Sequence, residues 1–272
     1  MRIDYHISAV EPYINWDYFY YAWGMQAKSD DEKQQLRSEA LTMLHKNRQR
    51  YRTHALFLLA DACSDGDDIM IKRQGTDGKS QDFRLPFLRQ QHGSPCLCLA
   101  DFVAPQGLGP QTSLGIFATS VDEGMEQDFN DDPYTKMMMQ LLADRLAEAT
   151  AERLHKEVRQ TYWGYAPDEH LTMEELHVEK FQGIRPAVGY PSLPDTSLNF
   201  LIDELLDMQQ IGIRLTESGA MKPHASVSGL MFAHPQSRYF DVGKIDEAQL
   251  IDYARRRNLP VDVMRRFLSA NL

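Results

Sequence analysis

The sequence predicts an α+β protein, an antiparallel sheet with helices packed on it, built as a single domain over residues 1–272. Three observations predict it. Short apolar runs are separated by Asp-Gly turn signals, which favour hairpins. Longer segments show apolar residues at helical spacing. No internal repeat or disordered linker divides the chain, and one mixed domain is the simplest way to bury these faces together.

The elements follow in order. Pro12 to Met25 carries Tyr13, Trp16, Tyr18, Phe19, Tyr20, Tyr21 and Trp23. So dense an aromatic set packs on a core, with some rings available to line a ligand cleft. Residues 30–50 place Leu36, Ala40, Met43 and Leu44 at helical spacing among polar residues, as in a surface helix. Strands are expected at ALFLLA (55–60), DIMIK (68–72), CLCLADFV (96–103) and SLGIFATSV (113–121). Tight turns are expected at SDGDD (64–68) and TDGK (76–79), and a loop at APQGLGPQ (104–111).

A long helix should begin near Pro133 and run to about Tyr162. Its polar residues Asp144, Arg145, Glu148, Glu152, His155 and Arg159 share one side, which reads first as a solvated face and second as a cleft wall. A short helical TMEELHVEKF precedes the loop GIRPAVGYPSLP (183–194). Thr196 or Ser197 can cap the next helix, LNFLIDELLDMQQ, and Gly212 can end it. IRLTES (213–218) and SVSGLMFAH (226–234) read as strands, and Asp246 with Gln249 suits the start of IDEAQLIDYARRR.

Composition narrows the function. The net charge of −10 argues against nucleic acid as a main partner, because phosphate binding needs a basic surface. The arginines of ARRRN and Arg265 with Arg266 fall late in helices, where they complement the helix dipole or form a local basic patch. No apolar run spans a membrane, and the opening MRIDYHISAV has no secretory pattern, so a cytoplasmic protein is expected. Cys63, Cys96 and Cys98 make no disulfide framework; Cys96 and Cys98 read as buried structural thiols on one strand face, and no metal site is expected.

GIRPAVGYP is the segment richest in possible chemistry. Its prolines stiffen the chain, while Gly183 and Gly189 permit backbone geometry closed to other residues. Arg185, held there, can grip a carboxylate or phosphate through two charge-assisted bonds, or form a structural salt bridge. SVSGL lacks the first glycine of a nucleophile elbow, and neither a P-loop nor a dinucleotide fingerprint is present.

Seven segments, CLADFVAP, DDPYTKMMMQLLADRLAEA, YWGYAPDEHLTMEEL, RPAVGYP, LTESGAM, ASVSG and HPQSRYF, occur in the order of similar segments in one family. From about Asn15 to Leu259 the chain resembles the activation domain of cobalamin-dependent methionine synthase. The resemblance implies a C-shaped α+β domain around a twisted antiparallel sheet, with S-adenosylmethionine bound in a shallow groove. Carried over by position, Arg185 would hold the methionine carboxylate, with Ala187 and Tyr190 from the same loop beside the ligand. Tyr239 and Phe240 fall on the family's paired tyrosines, Glu148 on a glutamate near the ligand, and Asn15 on its N-terminal aspartate. Asn15 loses a charge, Phe240 a hydroxyl, and MKPHAS (221–226) has Lys222 and His224 where the family has tryptophan and glycine.

The implied function is support of reductive remethylation of cob(II)alamin to methylcobalamin. S-adenosylmethionine is the methyl donor, and a flavodoxin-like protein a possible electron donor. No homocysteine-, folate- or cobalamin-binding module and no D-x-H-x-x-G sequence is seen, so cobalamin is expected on partner methionine synthase modules. A free-standing protein acting in trans is expected from Met1 and the ending at Leu272; a fragment of a longer enzyme is the alternative. A second reading, from another class, is a regulatory module that senses S-adenosylmethionine without touching cobalamin.

Overall fold

A computed structural model describes residues 1–74, 80–107 and 112–272. The turn expected at 76–79 and the end of the 104–111 loop therefore lie outside the described residues. The strands are β1 (Arg2–His6), β2 (Arg52–Asp65), β3 (Asp68–Gln74), β4 (Ser80–Pro86), β5 (Thr112–Val121), β6 (Arg214–Leu215), β7 (Met221–Lys222) and β8 (Ser226–Met231). The helices are α1 (Ile7–Val10), α2 (Trp16–Ala22), α3 (Asp30–Asn47), α4 (Gly124–Gln127), α5 (Pro133–Glu157), α6 (Met173–His177), α7 (Leu198–Leu206), α8 (Glu247–Arg256) and α9 (Val261–Phe267).

The main sheet runs β4-β3-β2-β5-β8, with β1 also paired to β2. Every pairing is antiparallel; β1 takes residues 52–56 of the long β2 and β3 takes 62–65. β5 is central, and its side chains divide by the strand's period of two. Phe117 and Val121 enter the core beneath α5, whereas Leu114, Ile116 and Ala118 enter the core on the other face beneath α7. A third cluster joins α8 and α9 to Leu88, Val242 and Ile245.

The two long helices start close to where the sequence places them, each behind a capping side chain. Ser29 and Glu32 form a reciprocal capping box on α3. The Asp132 carboxylate accepts from the Tyr134 and Thr135 N–H groups, and Pro133 occupies the first turn of α5, where no N–H is needed. One turn of π-helix, Val158–Tyr162, completes this helix to the expected end.

Four local expectations are corrected. CLCLADFV is a 3-10 turn at Leu99–Phe102, not a strand, because Asp101 accepts from the Cys98 N–H and from both terminal nitrogens of Arg89. Cys98 is fully buried and Cys96 only partly. IRLTES contributes only two residues of strand, since Thr216 to Ala220 form the turn back to β7. Ser197 precedes α7 without capping it, its hydroxyl donating to Asp195; the helix breaks at Asp207, whose φ is +53°, before a 3-10 turn reaches Gly212. The arginines of ARRRN lie in α8 and just beyond it, where Arg255 and Arg256 pair with Asp252, Arg256 also with the buried Asp68, and Arg257 with Asp195.

Asp4 on β1 faces His54 on β2. His54 Nδ1 lies 2.7 Å from Asp4 Oδ1 and Nε2 lies 3.0 Å from Asp122 Oδ1. Burial disfavours the imidazolium, but bonds to Asp122 and Asp4 outweigh it and raise the His54 pKa above its usual 6.5. The same bonds, against burial, lower Asp4 and Asp122 below 3.8. The cluster therefore stabilises the fold fully below the unfolded histidine value and loses this as pH rises through the higher folded value. The carboxylate contribution is lost as pH falls through their lowered folded values. Urea unfolding of wild type and His54→Ala from pH 3 to 9 should show the largest stability gap between about pH 4 and 6.5, narrowing on both sides. A gap that is constant with pH would rule out a charged His54.

Candidate functional site

The expected loop lies along the free edge of β8. Ile184 N–H donates to Phe232 O at 3.0 Å, Leu230 N–H to Pro186 O at 3.0 Å, and Val188 N–H to Ser228 O at 2.9 Å. Pro186 has no N–H to give, so the segment pairs irregularly and does not extend the sheet. Gly183 and Gly189 take φ of +89° and +88°, turning the chain in and out of this path. Tyr253 and Ser197 hydroxyls donate to Asp195 just beyond the loop, at 2.8 Å each, and tie its end to α8.

Between this loop and α5 is a groove of about 580 Å³, closed by Tyr13 to Tyr18, the end of α6, and Tyr239 to Asp241. Its volume falls within the range of small-molecule sites. All seven residues singled out in the sequence, Asn15, Glu148, Arg185, Ala187, Tyr190, Tyr239 and Phe240, line it.

Arg185 stands at the junction of three elements. Its backbone N–H donates to the Tyr239 hydroxyl at 2.9 Å, and its Nη2 donates to Glu152 Oε2 at 2.8 Å. The side chain is 13% exposed, and its Nε is buried without a hydrogen-bond partner. Burial works against the charge, but Glu152, Tyr239 and Glu148 outweigh it and hold the guanidinium above its ordinary range. Both readings of this residue meet here: it is ion-paired internally and still borders the groove.

One turn before Glu152 on α5, Glu148 accepts from the Tyr190 hydroxyl at 2.9 Å. The Glu148 charge, then burial, push the Tyr190 phenol up to about 12. Tyr239 is raised by burial, against Arg185. Ala187 pairs with Gly229 of β8, and the Phe240 ring lies 6.5 Å from Phe102, half in the core. Asn15 is the exception in geometry. Its side-chain oxygen accepts from the Asp17 N–H at 3.1 Å as the cap of α2, so its amide nitrogen is what remains for the groove.

The polar side of α5 is not a solvated face. Glu152, His155 and Arg159 are buried, and Arg145, Glu148 and Glu152 form groove wall. Arg159, with no exposed surface, donates to both oxygens of Glu169 and lies 4.2 Å from the Phe181 ring centroid. Burial, then Arg159 and Arg185, hold His155 well below the usual histidine pKa. Burial also pushes Asp144 up to about 6. Glu152 went unmarked in the sequence as a partner of Arg185, although its spacing of four from Glu148 was a signal.

These features define an α+β domain with a preformed groove, of small-molecule size, walled by one central helix and a proline-stiffened loop. Residues 6–258 match the family described as vitamin B12 dependent methionine synthase, activation domain. A solved structure described as the crystal structure of the MetH reactivation domain bound to AdoHcy is 38% identical, with a TM-score of 0.92 over 100% of this chain and 90% of that one. The chain belongs to the activation-domain family of vitamin B12 dependent methionine synthase. Among the described residues, no helix is long and apolar enough to cross a membrane.

Proposed function

We propose that the groove binds S-adenosylmethionine and that the domain supports reductive remethylation of cob(II)alamin on methionine synthase modules acting as a separate partner. The observation that carries this reading is Arg185, a charged guanidinium on the groove wall with an unpartnered Nε, in a chain 38% identical to a domain bound to AdoHcy. AdoHcy is the demethylated form of that donor.

The residues present suit the ligand. Arg185 offers charge-assisted bonds to the methionine carboxylate. Arg145 and Arg185 face Glu148, Glu152, Glu179 and Asp241 around the groove, an acidic balance that favours a cationic sulfonium. His155, held neutral behind this wall, adds no opposing charge. Tyr13, Tyr18, Tyr190 and Tyr239 supply aromatic surface for a nucleoside. When bound, the donor supplies an electrophilic methyl group and the partner's cobalamin a nucleophilic metal, with an electron from a flavodoxin-like protein. The chain's own task is to hold the methyl donor in place, and no acid or base is required of it.

Calorimetry should show S-adenosylmethionine binding to wild type, weakened in Arg185→Ala by about 2–4 kcal/mol. No heat with wild type at millimolar ligand would overturn the ligand assignment. Mixing the protein with cob(II)alamin-loaded synthase modules lacking this domain, a reductant and methyl-labelled donor should yield labelled methylcobalamin. Donor binding without methylcobalamin formation would favour the sensing reading instead.

A further inference from the structure

The Arg185–Glu152 pair is half closed. Carboxylate and guanidinium commonly meet through two parallel bonds. Here Oε2 of Glu152 accepts a hydrogen bond from Nη2 at 2.8 Å, while Oε1 of Glu152 and Nε of Arg185 are both buried and have no hydrogen-bond partner. Their side chains are only 11% and 13% exposed, and both border the groove. Buried polar atoms of charged groups are costly to leave unpaired, so a half-closed pair beside a cavity is a place where a ligand can complete the bonding.

We propose that Glu152 is a specificity-determining residue that reads the α-ammonium of an amino-acid ligand, while Arg185 reads its carboxylate. The inference rests on the ligand reading above and extends it to a residue outside the loop. A carboxylate arriving at Arg185 brings a second negative charge close to Glu152, which is repulsive in so enclosed a site. An ammonium on the neighbouring carbon removes that repulsion and supplies the donor that Oε1 lacks. Other acceptors are less suited. Glu148 is half-buried and already accepts from the Tyr190 hydroxyl on Oε1, Glu179 and Asp241 are exposed, and the Asn15 oxygen is occupied by the Asp17 N–H. A ligand with a carboxylate but no ammonium leaves Glu152 facing an uncompensated charge.

The test is calorimetry on the full chain with S-adenosylmethionine and with its deaminated 2-oxo analogue. Wild type should prefer the amino ligand by about 10- to 100-fold. Glu152→Gln should remove most of that preference, with the loss falling on the amino ligand, and Glu152→Asp should restore part of it. Equal binding of the two ligands to wild type, or an undiminished preference in a folded Glu152→Gln protein, overturns the proposal. A thermal melt reports whether the glutamine variant folds; should it not, the wild-type comparison and Glu152→Asp decide. Wild type that binds neither ligand defeats the ligand reading itself, whereas binding of the amino ligand without discrimination defeats only the role of Glu152.

Discussion

Gly229→Ala should destabilise the protein by about 3 kcal/mol and weaken ligand binding at the groove with it. A β-carbon at this position of β8 would lie 2.2 Å from Pro186 O, 2.9 Å from Ala187 Cα and 2.9 Å from the Phe117 ring. Two of those neighbours are backbone of the binding loop, and the third is a fully buried ring in the core. None can yield without lifting residues 185–188 from the sheet edge, which would move Arg185 away from Glu152. Urea unfolding and donor titration check both halves of this expectation. Unchanged stability would show that the loop rests on the sheet without close contact.

Glu169→Ala should cost about 3–5 kcal/mol, because it leaves the Arg159 charge buried without its partner. Glu169 takes three bonds from Arg159, at 3.1, 2.9 and 2.7 Å, and Arg159 Nη1 is already unpartnered. Replacing both residues together, as Arg159→Met with Glu169→Leu, should recover much of that loss, since a packed apolar pair has no desolvated charge to compensate. Chemical denaturation of the single and double variants measures the difference. A single variant as stable as wild type would show that water reaches the guanidinium and that the pair contributes little.

Helices α3, α5 and α6 were legible because their signals are local. Asp132 and Pro133 mark the start of α5, Ser29 with Glu32 marks α3, and Thr172 with Glu175 marks α6, each within a few residues of sequence. The strands β2, β3, β5 and β8 followed from apolar runs. The motif GIRPAVGYP marked the loop that carries Arg185, and resemblance brought Glu148, Tyr239 and Asn15 to the same groove. CLCLADFV misled because its apolar run suits a strand, while the interaction that decides its shape comes from Arg89, outside the segment.

By itself the sequence determined where α3, α5 and α6 begin, the antiparallel class, the stiff loop and the family. Tertiary structure decided which charges meet. Glu152 and Arg185 are 33 residues apart, and Arg256 and Asp68 are 188 apart, so no window of sequence contains either pair. The same holds for the inner side of α5, whose polar residues repeat as a solvated face would but are half or fully buried, Arg145, Glu148 and Glu152 against the groove. Periodicity records that side chains share a face. What covers that face, and whether a buried charge finds its counter-ion, depends on distant segments brought together by folding.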